Sequence, residues 1–148
     1  MADHTIYEVK TTRVRLKLSE PLQCISDPET AVSILKSIYA DLDADQEHVT
    51  ILCLNKAHKV TGFKVLFTGG QDESIVDLKV LYRNALMLGA TALVIAHNHP
   101  SGRTEPSTQD LDMTRKVLSA GEMLGIRVLD HIILGGDQWL SFREKGLI

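Results

Sequence analysis

The sequence predicts an α/β (α+β) domain built from layered helices and strands, and three observations carry that prediction. Segments with apolar residues at helical spacing alternate with short, almost continuously apolar runs. Glycines stand where those segments should stop, as at Gly89, Gly125 and the pairs Gly69–Gly70 and Gly135–Gly136. No repeat, linker or low-complexity stretch divides the 148 residues. The chain therefore reads as one domain over 1–148, with an N-terminal strand and connector over 1–26 and a core over 27–148.

Taken in order, residues 5–18 contain a clean alternation: Val14, Leu16 and Leu18 face one side, Arg13, Arg15 and Lys17 the other. This predicts a half-buried edge strand with a solvated basic face. Asp27 as N-cap, Pro28 at the first helical position and Glu29 in the first turn start a helix that carries Val32, Leu35 and Ile38 to about Leu42. Residues 48–55 and 59–67 form a hairpin around the turn at 56–58. A helix over 74–88, capped by Asp72 or Ser74, precedes a buried strand over 91–96. A second long helix over 107–124 places Leu111, Thr114, Leu118 and Met123 inward. The strand 126–134 and a short return through "QWLSF" complete the chain, with Trp139 as packing.

The formal net charge of −3 provides no global electrostatic reason to bind nucleic acid or an anionic membrane. The two cysteines, Cys24 and Cys53, lie among aliphatic residues without CxxC spacing and read as buried small hydrophobes. The start "MADHTIYEVK" lacks a basic, apolar leader, and no stretch approaches about 18 apolar residues, so a soluble, cytoplasmic protein is expected.

Chemistry concentrates in "IAHNHPSGRTEPSTQD", residues 95–110. His97 and His99, two apart at a strand end, point the same way. A catalytic zinc site takes three protein ligands and leaves one position for water. Asp110 fits as the third, because Ser107 as N-cap puts it at the third helical position, facing back toward the strand end. Pro100, Gly102 and Pro106 turn the chain sharply and stiffen it between these ligands. Each part also has a structural reading, the histidine as a strand-end residue and the aspartate as a cap.

These residues resemble the JAMM (MPN-type) metalloprotease signature, His-x-His-Pro followed by Ser-x-x-Asp, here His97, His99, Pro100, Ser107 and Asp110. "AHNHPSG", "PSTQD", "LDHIILG" and "SFREKGL" are similar to the RadC-like branch of JAB-domain proteins, over roughly 47–148. The resemblance implies a mixed central β-sheet sandwiched by helices, the JAB/MPN (cytidine-deaminase-like) architecture. It implies Zn2+ held by His97, His99 and Asp110, and hydrolysis of a peptide or isopeptide-like bond in a peptide or protein substrate. Ser107 would cap its helix, stabilise the oxyanion, or both. The family label adds DNA or repair and replication proteins as partners; no membrane partner is expected. Neither substrate nor oligomeric state is written in the sequence.

The family's general base is a Glu expected on the strand before the helix that leads into the His-x-His strand. Here that strand is "KVTGFKVLF", with Lys64 or Val65 at the expected place and no carboxylate. Glu47, Asp72 and Glu73 are the substitutes, and the family's "PRE" is replaced by "DLKVLYRN". A catalytically impaired zinc-binding scaffold is therefore the alternative to a zinc hydrolase. Asp130 and His131, adjacent on a strand, cannot both enter one site; one could steady a zinc ligand, or both could be core residues. His4, His48 and His58 read as bystanders in turn or terminal contexts. A magnesium nuclease lacks its carboxylate cluster, an amidohydrolase barrel needs about 250 residues, and a nucleobase deaminase needs a Glu after its His and a later PCxxC.

Overall fold

The computed structural model describes residues 8, 10, 24–69 and 76–148. Among the described residues five strands form one sheet in the order β2-β1-β3-β4-β5. They are β1 (Glu47–Leu54), β2 (Val60–Gly69), β3 (Ala92–Asn98), β4 (Arg127–Gly135) and β5 (Gln138–Ser141), with helices α1 (Pro28–Tyr39), α2 (Leu78–Met87) and α3 (Thr108–Leu124). Among the described residues only β3 and β4 pair in parallel, and α3 makes the crossover that such a pair requires. The other pairs are antiparallel. The sheet is thus mixed and lies between helices, as expected from the resemblance.

Alternation along β3 sorts the core into two layers. Ala92, Val94 and Ala96 meet Ala31, Val32 and Leu35 of α1, together with Leu52, Leu54 and Leu129. Leu93 and Ile95 face the other way, onto Leu81, Tyr82 and Ala85 of α2 and Val117 of α3, beside Val49 and Ile51. Ile95, Leu81 and Leu35 are fully buried, and truncating any of them to Ala should cost about 2–5 kcal/mol. The Tyr39 hydroxyl anchors the end of α1 to the sheet through the carbonyls of His48 (2.9 Å) and Ala96 (3.3 Å).

The local signals act where expected. Asp27 caps α1 by accepting from the Thr30 amide and hydroxyl, each at 2.7 Å, with Pro28 next in line. Ser107 and Asp110 form a reciprocal capping box at the start of α3. Among the described residues no helix is long and apolar enough to cross a membrane.

Several expectations are corrected. Helix α2 starts at Leu78 with Asp77 as its cap, accepting from the Lys79 amide at 2.8 Å; the proposed caps Asp72 and Ser74 lie outside the described residues. Helix α1 stops at Tyr39, short of Leu42. In α3 the buried stripe is Asp110, Thr114, Val117 and Gly121, while Met123 is 90% exposed. That stripe runs through an aspartate and a glycine, which an apolar pattern does not count. Cys24 is exposed, whereas Cys53 is buried and its thiol is pushed up to about 12 by that burial. The basic strand expected over 5–18 falls almost wholly outside the described residues, as does His4.

Candidate metal centre

Topology brings three chain segments to one end of the sheet. Strand β3 ends there with His97 and Asn98, and α3 starts from the same end after the loop 99–107. Because β1 is antiparallel to β3, with Val49 opposite His97, the beginning of β1 also lies at this end. Glu47 therefore joins His97, His99 and Asp110, with one ligand-type atom from each of the four within 4.8 Å of the others.

The closest contacts involve the histidines and the aspartate. His97 Nε2 is 2.9 Å from His99 Nε2, His97 Nε2 is 3.2 Å from Asp110 Oδ1, and His99 Nε2 is 3.3 Å from Asp110 Oδ2. Ligand atoms around a tetrahedral zinc, at bond lengths of about 2.0–2.1 Å, stand roughly 3.3 Å from one another. The two histidine–aspartate separations match such an edge, and the 2.9 Å between the histidines is shorter.

The outer nitrogens decide where the lone pairs point. His99 Nδ1 meets the Arg103 carbonyl at 2.9 Å, so it must carry the hydrogen and leaves Nε2 bare in the neutral ring. His97 Nδ1 faces His131 Nε2 at 2.7 Å in a fully buried contact. The Ser107 amide donates to Asp110 Oδ2 at 2.8 Å, and the Asp110 amide donates to Ser107 Oγ at 3.1 Å. Two imidazole nitrogens and a carboxylate thus converge on one small volume, a donor set suited to a cation.

The electrostatics follow the same geometry. A hydrogen bond to Asp110, opposed by burial, raises the His99 imidazole above its ordinary value. Burial works to raise the Asp110 carboxyl, but its contacts with the His97 and His99 rings and the Ser107 amide together hold it well below the usual carboxylate range. His131 is driven far down by burial and stays neutral.

The carboxylate that lies at the cluster beside Asp110 stands on β1, not β2. Strand β2 is the sheet edge, with β1 between it and β3, and Lys64 and Val65 pair with Ile51 and Thr50 well along β1. No residue there can adjoin His97. Glu47 is half-buried at the cluster; Asp72 and Glu73 lie outside the described residues. Asp130 and His131 do take opposite faces. His131 reaches His97, while Asp130 accepts from the amides of His131 (2.8 Å) and Arg143 (3.0 Å).

Three residues have supporting roles that the sequence reading does not assign, Thr114 being placed there only as an inward residue. Thr114 bonds His131 Nδ1 at 2.6 Å, and Phe142 stacks on the His131 ring at 4.3 Å. Asn98, between the two histidines, points to the other face and binds the chain on either side of Glu47. His48 is no turn residue. It lies buried in β1, with its ring between Thr68 Oγ1 and the Asp43 carbonyl, each at 2.7 Å.

A layered α+β domain with a His-x-His strand end and an acid-capped helix start defines a JAB/MPN-type fold. The family model described as RadC-like JAB domain matches residues 25–147, and the chain belongs to that family. Its relatives include a UPF0758 protein of Desulforudis audaxviator, 41% identical over 103 residues, which are 70% of this chain and 45% of the relative. A UPF0758 protein of Roseiflexus castenholzii is 32% identical over 135 residues, 91% of this chain and 57% of the relative. One of Desulfitobacterium hafniense is 35% identical over 104 residues, 70% and 46% respectively. The chain spans about half the length of these curated relatives.

Proposed function

We propose that this chain is a zinc-dependent hydrolase of the JAMM type that cleaves a peptide or isopeptide-like bond. The observation that carries the reading is the convergence of two imidazole Nε2 atoms and the Asp110 carboxylate at 2.9–3.3 Å. His97, His99 and Asp110 would hold the ion. Bound there, zinc supplies a Lewis acid that polarises a carbonyl and makes water a nucleophile near neutral pH.

The remaining steps belong to side chains. Glu47 stands beside the trio on a separate strand, so its carboxylate can take a proton from the attacking water and return it to the leaving amine. Ser107 is exposed at the helix start and its hydroxyl accepts from the Asp110 amide, which leaves the hydroxyl hydrogen free for an oxyanion. Glu47 beside the trio supports turnover over the alternative of a catalytically impaired zinc-binding scaffold.

Elemental analysis of protein purified without chelator should find about one zinc per chain, lost in His97→Ala. Against a library of peptide and isopeptide-linked substrates, Glu47→Gln should keep the zinc and lose about 10²–10⁴-fold in rate. Metal-free protein that does not take up added zinc would sink the reading. Zinc-dependent cleavage that is indifferent to Glu47→Gln would remove the base assignment.

A further inference from the structure

The buried pair His131 and Thr114 has no place among the ligands, and its hydrogen bonds can be assigned one by one. The Thr114 hydroxyl has a single hydrogen and lies 2.6 Å from the Asp110 carbonyl, which can only accept. That hydrogen is therefore used. Toward His131 Nδ1, also at 2.6 Å, Thr114 Oγ1 must accept, so Nδ1 carries the ring hydrogen of His131. His131 is fully buried and bonds no carboxylate, so its ring is neutral and its Nε2 is bare. Across 2.7 Å, His97 Nδ1 then has to donate to it.

We infer that Thr114 and His131 are positioning residues that fix the tautomer of His97, keeping the hydrogen on its Nδ1 and the lone pair of its Nε2 turned into the cluster. The relay is closed. It leaves one proposed ligand at His97, crosses two buried side chains and returns to the main chain of another, Asp110. Phe142 holds the His131 ring flat by stacking at 4.3 Å and 26°. The pair also joins α3 to β4, so the tautomer depends on how helix and sheet pack. The consequence for zinc rests on the function proposed above; the tautomer itself does not.

The test separates the two. Nitrogen-15 NMR of metal-free protein should show His131 with hydrogen on Nδ1 and a bare Nε2. Thr114→Val removes the acceptor, so the His131 hydrogen should move to Nε2, and the zinc dissociation constant in a chelator competition should rise about 10–100-fold. Thr114→Ser keeps the hydroxyl and should restore both readings, which a purely structural role for the methyl group would not do. His131 carrying its hydrogen on Nε2 in the unaltered protein overturns the inference. So does Thr114→Val with an unmoved tautomer, or with a moved tautomer and undiminished zinc affinity. If the unaltered protein binds no zinc while the tautomers behave as stated, the inference stands and the zinc reading falls.

Discussion

The Asn98 side chain clamps the start of β1 to the end of β3: its Oδ1 accepts from the His48 amide at 2.7 Å, and its Nδ2 donates to the Gln46 carbonyl at 2.9 Å. Glu47 is the residue between those two anchors. Asn98 thus sets where the carboxylate stands relative to His97 and His99, although its own side chain lies on the opposite face. Asn98→Ala should leave the His48 amide without its partner, at a cost of about 1–3 kcal/mol. Urea denaturation and faster exchange of the His48 amide hydrogen would register it, with zinc affinity little changed. Unaltered exchange would show that the clamp is dispensable.

Gly135 lets the loop after His99 press against the sheet end. A Cβ there would stand 2.6 Å from the Gly102 carbonyl oxygen and 2.9 Å from that of Arg103, the acceptor for His99 Nδ1. Backbone cannot swing aside as a side-chain tip can. Gly135→Ala should cost about 1–3 kcal/mol and also weaken zinc binding. Gly136→Ala meets open space but a left-handed backbone, φ +57; it should cost about 1 kcal/mol and leave zinc binding alone. Equal zinc affinity in both variants would break the link from Gly135 to His99.

Zinc should act as a folding ligand through linkage. At free zinc one hundred times the dissociation constant, the folded state gains about 2.7 kcal/mol, and the melting temperature rises with zinc concentration. His99→Ala should fold and show almost none of this shift, because its ring is partly exposed and the core beneath does not include it. A full shift in that variant would place the ion elsewhere.

The acid limb of stability should contain a contribution from Asp27. The Thr30 amide, then its hydroxyl, hold the Asp27 carboxyl below its ordinary value of 3.8. A group lowered on folding stabilises above its unfolded value, and that stabilisation is lost as pH falls through the folded one. Asp27→Asn keeps the cap geometry without the titration. The stability difference between the two proteins should be flat above pH ~5 and change only below the ordinary carboxylate range. A difference that varied near neutral pH would contradict the assignment.

How much was legible follows the range of each interaction. The capping box at Ser107 and Asp110, the Asp27 start and the same-facing histidines depend on neighbours within four positions, and the chain states them directly. The strand that delivers the acid does not work that way. Both arms of the hairpin are apolar and strand-like, and choosing between them requires knowing that β1, not β2, lies beside β3. Of the stripe expected on α3 only Thr114 is fully inward, because the buried line runs through Asp110 and Gly121 for reasons of site and close packing. Gly121 has no room for a Cβ beside the Ile126 carbonyl oxygen.

By itself the sequence determined the layered class, the starts of α1 and α3 and the His97, His99, Asp110 constellation, since periodicity and capping are local properties of a chain. Only the tertiary structure decided that Glu47 completes the cluster, that Asn98 holds it there and that Thr114 and His131 govern His97. Those relations join residues 17 to 52 positions apart. They exist only once antiparallel β1 and parallel β4 have packed on either side of β3, because strand order and register are set by the whole sheet and its two helical layers.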